Sequence, residues 1–227
     1  VATPAEWRLG AGATLTAVED AVATEYPSIA KMLTVFAARQ IRNRATLGGN
    51  LVTASPIGDA APVLLTLGAS VVLASASGER TVPLEEFFTA YRRTQLRGDE
   101  VMKEVVLPRG IPDGLSRRVD FQKVSHRREL DIAVVAGAFC VDCDRDGNVR
   151  CARIAYNGVA PMPLRARAAE AQREGRTIAA AAKDVAAALR DAFQPIDDVR
   201  GSASYRRDVV VALWEKFVSG ETSVVLA

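Results

Sequence analysis

The sequence predicts an α+β fold in two parts, and three observations carry that prediction. Short strand-like runs alternate with helical patterns up to Pro108. A Pro- and Gly-containing stretch, PRGIPDGLSRR, then interrupts the pattern. Three long strand-like runs and an Ala-rich helical tail complete the chain.

In order, Trp7 to Leu9 reads as a strand, followed by a helix near Thr16 to Glu25 and an amphipathic helix from Ser28 to about Gln40. The stretch RNRATLGGNLVTASPIGDAAPVL (Arg42 to Leu64) leads into an apolar helix near Ala60 to Leu67. The runs ASVVLAS, RTVPL and VMKEVVLP are strands, with a turn-helix around Leu84 to Tyr91 between the last two. The boundary falls near residue 112, giving parts 1–112 and 113–227. Beyond it, RVDFQKVS, DIAVVAGAFCVDC and VRCARIAYNGV are strand-like runs, the last two joined through DRDGN as a hairpin. Three helices follow in PLRARAAEAQREG, TIAAAAKDVAAALRDAF and SASYRRDVVVALWEKFVSG.

With 227 residues, 49% of them hydrophobic, the chain can fill a sizeable core. Its 29 basic and 27 acidic residues leave a formal charge of +2, no field to attract nucleic acid or an anionic membrane. The apolar stretch Ala60 to Ala74 is broken by Pro62, Thr66, Gly68 and Ser70, short of the roughly 18 residues of a membrane helix. The start at Val1, without Met or a leader pattern, reads as a fragment or a processed half. Cys140, Cys143 and Cys151 are an odd set that suits a reducing compartment, and cytoplasm is the expected location.

Two metal patterns lose on inspection. Cys140 and Cys143 are three apart on a strand and so face opposite ways, and no second pair or His completes a zinc set. A calcium loop beginning at Asp142, with Asp144, Asp146 and Gly147, needs a carboxylate at its twelfth position, which is Arg153. The single histidine, His126 in KVSHRRELDIA, reads as part of an exposed basic loop, and no sharp turn presents a nucleophile to it. No side chain is assigned a catalytic acid, base or nucleophile role, and no metal site is assigned.

The LGGN segment is different. Gly48 and Gly49 remove the side chains that keep a phosphate or ring from the backbone, and successive amides there are able to donate to an anion. Thr46, Asn50, Thr53 and Ser55 offer neutral hydrogen bonds, and Asp59 suits the paired hydroxyls of a ribose. Two glycines before an Asn describe an ordinary turn equally well. Neither a G-x-G-x-x-G nor a Walker lysine is present.

The segment ATLGGNLVTASPIGDAAPVLLTLGAS resembles the flavin-binding subunit or domain of the molybdenum hydroxylases, the xanthine dehydrogenase and carbon monoxide dehydrogenase group. GAGATLTAVE, FFTAYRRTQLRGDEVMKEVVLP, KVSHRRELDIAVVAGAF and DVRGSASYRRDVVVAL look like further landmarks of that family in the right order, covering almost the whole chain. SHRRELDIA and YRRT look more like the xanthine dehydrogenase branch. The resemblance implies the second part of a mixed α+β FAD-binding domain, followed by a smaller C-terminal domain with a three-stranded antiparallel sheet and helices.

It also implies roles. Phe36 would contact the adenine, and Thr46 through Asn50 would meet the pyrophosphate and ribityl region, with Ala45, Leu47, Gly48, Gly49 and Thr53 among the cofactor-binding residues. Asp59 would hold ribose hydroxyls, Met102 would pack near the flavin ring, and Lys123 would lie near the isoalloxazine. The loop with Ser125, His126, Arg127, Arg128 and Asp131 would border the nicotinamide entrance. Each has a plainer reading: Phe36 as helix core, Met102 as a buried strand face, Asp59 as a helix cap, Lys123 as a side chain snorkelling to solvent.

Family members carry a further glycine-rich flavin subdomain before the region matching GAGATL, and the three cysteines here cannot bind even one four-thiolate cluster. The resemblance therefore implies partners: an N-terminal flavin and iron-sulfur portion and a molybdenum-containing large subunit, in a hetero-oligomer. Molybdenum cofactor and 2Fe-2S clusters would lie there, with FAD here and NAD as acceptor. The rival readings are a carbon monoxide, nicotinate or aldehyde dehydrogenase flavin subunit, and a non-catalytic assembly or nucleotide-binding module.

Overall fold

The computed structural model describes residues 1–127, 130–172 and 175–226. Its first part runs β1 (Glu6–Gly10), α1 (Leu15–Val22), α2 (Pro27–Thr34), α3 (Arg39–Arg42), α4 (Leu47–Val52), α5 (Ala60–Thr66), β2 (Ser70–Ser75), β3 (Gly78–Pro83), α6 (Leu84–Phe87), β4 (Phe88–Ala90), β5 (Arg93–Thr94) and β6 (Val101–Pro108). Its second part runs β7 (Ser116–Val124), β8 (Val135–Cys143), β9 (Val149–Asn157), β10 (Leu164–Arg165), α7 (Arg167–Ala171), α8 (Ile178–Asp191), α9 (Ala203–Ser219) and β11 (Val224–Leu226).

Two antiparallel sheets organise these elements, in the orders β1-β6-β2-β3 and β10-β9-β8-β7-β11. Trp7 pairs with Leu107 and Val71 with Val105 in the first; Phe121 pairs with Ala138 and Phe139 with Ile154 in the second. The three long strands β7, β8 and β9 are the predicted sheet. Two short edge strands widen it, too brief to leave a period in the sequence.

Helix α5 lies where the two parts meet, and all of its residues are buried. Its sequence AAPVLLT is apolar except for Thr66, whose buried hydroxyl donates to the Val63 carbonyl at 2.8 Å, as suits a helix with no solvent face. Pro62 sits in the first turn, where a missing N–H breaks no helical bond. Around α5 the first core is aliphatic, joining Leu9, Leu33, Leu51 and Val63 to Phe121 and Ala138 of the second sheet. The second core is aromatic: Phe139 stacks on Phe217 at 4.8 Å between ring centroids and meets Tyr156 edge-on at 5.8 Å.

Local chemistry sets the helix ends. Thr14, Thr46, Thr177 and Ser202 each accept the amide of the third residue beyond them, and Gly220 ends α9 at φ 82°. The structure shortens two predicted helices. The segment expected to be helical from Ser28 to Gln40 stops at Thr34, because Ala37 at φ 47° turns the chain before α3 begins. The turn-helix expected over Leu84 to Tyr91 is one turn long and passes into the β4-β5 hairpin, with Arg92 at φ 52°.

Among the described residues no helix is long and apolar enough to cross a membrane.

Candidate functional site

The LGGN segment is the beginning of a helix, and its leading amides have partners within the chain. The Leu47 amide donates to the Ala13 carbonyl at 3.1 Å and the Gly48 amide to the Ala11 carbonyl at 2.9 Å. The Gly49 amide donates to the Thr46 hydroxyl at 3.1 Å and the Asn50 amide to the Thr46 carbonyl at 3.1 Å. All four successive amides are thus satisfied inside the chain. The Thr53 hydroxyl is engaged as well, donating to the Gly49 carbonyl at 2.6 Å.

Gly48 has a packing reason. A Cβ there would stand 2.6 Å from the Ala11 Cβ and 2.9 Å from the Ala11 carbonyl oxygen, closer than real atoms approach. The turn after β1 and the start of α4 are therefore in backbone contact, and Ala45 extends it by accepting the Leu15 amide at 2.9 Å.

This contact builds one wall of a shallow groove of about 370 Å³. Gly12, Gly48 and Gly49 line that wall, and Leu96, Val101 and Met102 face it from β6 and the segment before it. The fold thus brings Met102 to the glycines, which lie far from it in sequence. Asn50 does not line this groove: its Oδ1 lies toward Gly58, 3.6 Å from where a Cβ there would stand, and is buried with no hydrogen-bond partner among the described residues.

Asp59 and Lys123 meet at the seam between the two parts. Lys123 Nζ lies 2.6 Å from Asp59 Oδ2, with only 4% of the lysine side chain and 7% of the aspartate exposed. Asn157 Nδ2 donates to Asp59 Oδ1 at 3.3 Å, and Lys123 Nζ also donates to the Val35 carbonyl at 3.3 Å. Burial pushes the Asp59 carboxyl above its usual range, and the Lys123 charge beside it opposes that shift. Asp59 stands at the N-cap position of α5, yet its side chain makes no capping bond. Lys123 does not snorkel to solvent. Sequence reading missed Asn157, which is fully buried and also accepts the Ala136 amide at 2.8 Å; its only signal is an Asn-Gly pair closing a strand.

Phe36 sits in the connection between α2 and α3 instead of on a helix, half-buried against the first core, with Arg42 Nη1 donating to its carbonyl at 2.9 Å. In the loop after β7, Asp131 accepts the Arg127 amide at 2.7 Å and the Ile132 amide at 3.0 Å. Those bonds hold its carboxyl below the usual range, the Arg127 amide contributing most. The Ser125 hydroxyl donates to the Arg127 carbonyl at 2.6 Å, while His126 and Arg127 are exposed. Arg128 lies outside the described residues.

The aspartates of the β8-β9 hairpin are otherwise occupied. Arg117 Nε lies 2.6 Å from Asp142, and Asp144 accepts the Asp146 and Asn148 amides at 3.0 and 2.8 Å.

Comparison with known proteins decides the family. Residues 2–110 match the FAD binding domain in molybdopterin dehydrogenase, and residues 121–220 match the CO dehydrogenase flavoprotein C-terminal domain. A nicotinate dehydrogenase FAD-subunit of Eubacterium barkeri is 31% identical over 92% of this chain and 71% of its own length. The chain belongs to the flavin-binding family of the molybdenum hydroxylases.

Other members are longer. A nicotinate hydroxylase of Emericella nidulans is 35% identical over 84% of this chain, and a xanthine dehydrogenase of Blastobotrys adeninivorans is 33% identical over 86%; the chain spans 14% of each. Among solved structures, carbon monoxide dehydrogenase from Hydrogenophaga pseudoflava superimposes with a TM-score of 0.88 at 28% identity, covering 95% of this chain and 75% of that one. Quinoline 2-oxidoreductase from Pseudomonas putida 86 gives 0.85 at 27% identity, covering 97% and 76%.

Proposed function

We propose that this chain is the flavin-holding component of a xanthine-dehydrogenase-like molybdenum hydroxylase, in which electrons pass from iron-sulfur clusters through FAD to NAD. The observation that carries the proposal is the groove, with glycine backbone on one side and Met102 on the other. These residues fit a flat conjugated group. Glycines admit it close to the backbone, and Met102 gives a polarizable apolar contact.

In this reading the remaining phosphate contacts come from residues of another subdomain, consistent with the satisfied amides of Leu47 to Asn50. Phe36 in this reading meets the adenine, and the loop from Ser125 to Asp131 borders the nicotinamide entrance. In this reading Lys123, held by Asp59, lies near the isoalloxazine. FAD, when bound, takes electrons from iron-sulfur centres and delivers them in pairs to a nicotinamide. No side chain of this chain has to donate or remove a proton in that exchange. Molybdenum and substrate sit in partner domains or subunits, in a cytoplasmic hetero-oligomer.

The likeness to carbon monoxide dehydrogenase favours, as a second reading, a flavin subunit from that branch or from a nicotinate or aldehyde dehydrogenase. The test joins this chain to the glycine-rich flavin portion of its own enzyme. The expected product is yellow and reduces a dye with NADH. A colourless, inactive pair overturns the reading; a yellow pair that ignores NADH removes NAD as acceptor.

A further inference from the structure

Lys123, Ala136 and Asn157 stand in one row across β7, β8 and β9, paired in register and therefore on the same face of the sheet. Neighbouring strands lie about 5 Å apart, so the two long side chains at the ends of the row start roughly 10 Å from each other. Ala136 between them carries a single side-chain carbon. Over this row the start of α5 delivers the Asp59 carboxylate, and both neighbours reach it: Lys123 Nζ meets Oδ2 at 2.6 Å and Asn157 Nδ2 meets Oδ1 at 3.3 Å.

Asn157 is the fixed member of this set. It is fully buried, and its Oδ1 accepts the Ala136 amide at 2.8 Å, which leaves only the donor nitrogen to face Asp59. Its backbone has no slack either. The next residue, Gly158, stands at φ 75° with its amide on the Pro56 carbonyl at 2.7 Å, and a Cβ there would lie 2.3 Å from the Val134 carbonyl oxygen.

Asp59 and Lys123 lack such anchors. Asp59 makes no capping bond to α5, and a carboxylate turns readily about its Cβ–Cγ bond. Apart from Asp59, the lysine ammonium has the Val35 carbonyl, at 3.3 Å, longer than an ordinary N–H···O bond. Its flexible four-carbon stem therefore follows the carboxylate, and the carboxylate is held by Asn157. The Asn157 bond also opposes the upward push of burial on the Asp59 carboxyl, after the larger effect of the Lys123 charge.

We infer that Asn157 is a positioning residue: by donating to Asp59 it holds that carboxylate in one orientation, and through it places the Lys123 ammonium. The inference rests on the proposed function, in which Lys123 lies near the isoalloxazine. A cation fixed there favours the electron-rich reduced flavin over the oxidised one and raises its potential.

The test uses the enzyme assembled in its own cells and purified through a tag on this chain, and reads the flavin midpoint potential by dye equilibration. Lys123→Met should shift the potential to more negative values. Asn157→Val, which removes the amide, should shift it the same way by a smaller amount. Asn157→Thr, of similar shape but with a hydroxyl donor, should fall between Asn157→Val and the parent. In the Lys123→Met background Asn157→Val should add nothing, since the residue acts only through the lysine. Urea unfolding does not separate these arms, because losing any buried bond lowers the midpoint; the potential does. If Asn157→Val does not fold, Asn157→Ala carries the same comparison. An unmoved potential in the Asn157 variant, an equal shift with and without Lys123, or no response to Lys123→Met would overturn the inference. A colourless parent assembly sinks the functional reading, whereas a yellow parent whose potential ignores Asn157 sinks only the positioning role.

Discussion

The seam around Asp59 and the groove around Gly48 place different demands on the chain. At the seam, a carboxylate and an ammonium are removed from water together, and Asn157 takes the remaining carboxylate oxygen. At the groove, the amides of Leu47, Gly48, Gly49 and Asn50 are engaged within the chain, and the wall they form is bare glycine backbone. Burying charge is tolerable only when every partner is supplied from within. A shallow groove walled by glycine backbone buries no charge and carries no such demand.

Breaking the seam should give the largest effect. Lys123→Met leaves Asp59 buried without its counter-ion, which should cost about 3–5 kcal/mol of stability in urea unfolding. The double variant Asp59→Asn, Lys123→Met should recover more than half of that loss, since no lone charge then remains. A single variant with an unchanged urea midpoint would show that the two parts are not held by this pair.

At the groove, Gly48→Ala drives a Cβ into Ala11 backbone. Overpacking of this kind should cost about 2 kcal/mol, with flavin retention falling in the same preparation as the wall shifts. Gly12→Ala is the control, because a Cβ there meets nothing within 4 Å; its stability should stay near that of the parent.

The smallest effect is a pH dependence beside the groove. Glu100 is held down from 4.5 to about 2, mainly by its hydrogen bonds from Arg80, with help from the Arg97 amide. A carboxylate depressed in the folded state stabilises above its unfolded value, and that contribution is lost as pH falls toward the folded one. Urea midpoints should therefore drop between about pH 5 and about pH 2, and Glu100→Gln should flatten that part of the slope. An identical slope in the variant would detach Glu100 from acid stability.

Much of this was legible in the sequence because it is local. Hydrophobic period placed the strands VMKEVVLP and VRCARIAYNGV at β6 and β9, and the nearly all-apolar AAPVLLT announced a buried helix. The quoted landmarks pointed to the family that the comparisons then showed. Where local rules gave two answers, the sequence left both standing: LGGN was a turn or a cradle, and it is the first turn of a helix whose amides are already engaged.

The tertiary structure alone decided what touches what. Asp59 looked like a cap or a ribose partner from its neighbours, but its carboxylate meets Lys123 and Asn157 on β7 and β9. The place of Gly48 against Ala11, the approach of Met102 to the glycines and the hold of the Ala136 amide on Asn157 were equally invisible. The sequence determined the elements, since helix and strand periods and caps act over a few residues. Only the folded chain determined which charges are paired and which backbones touch, because those depend on contacts between segments that no local pattern encodes.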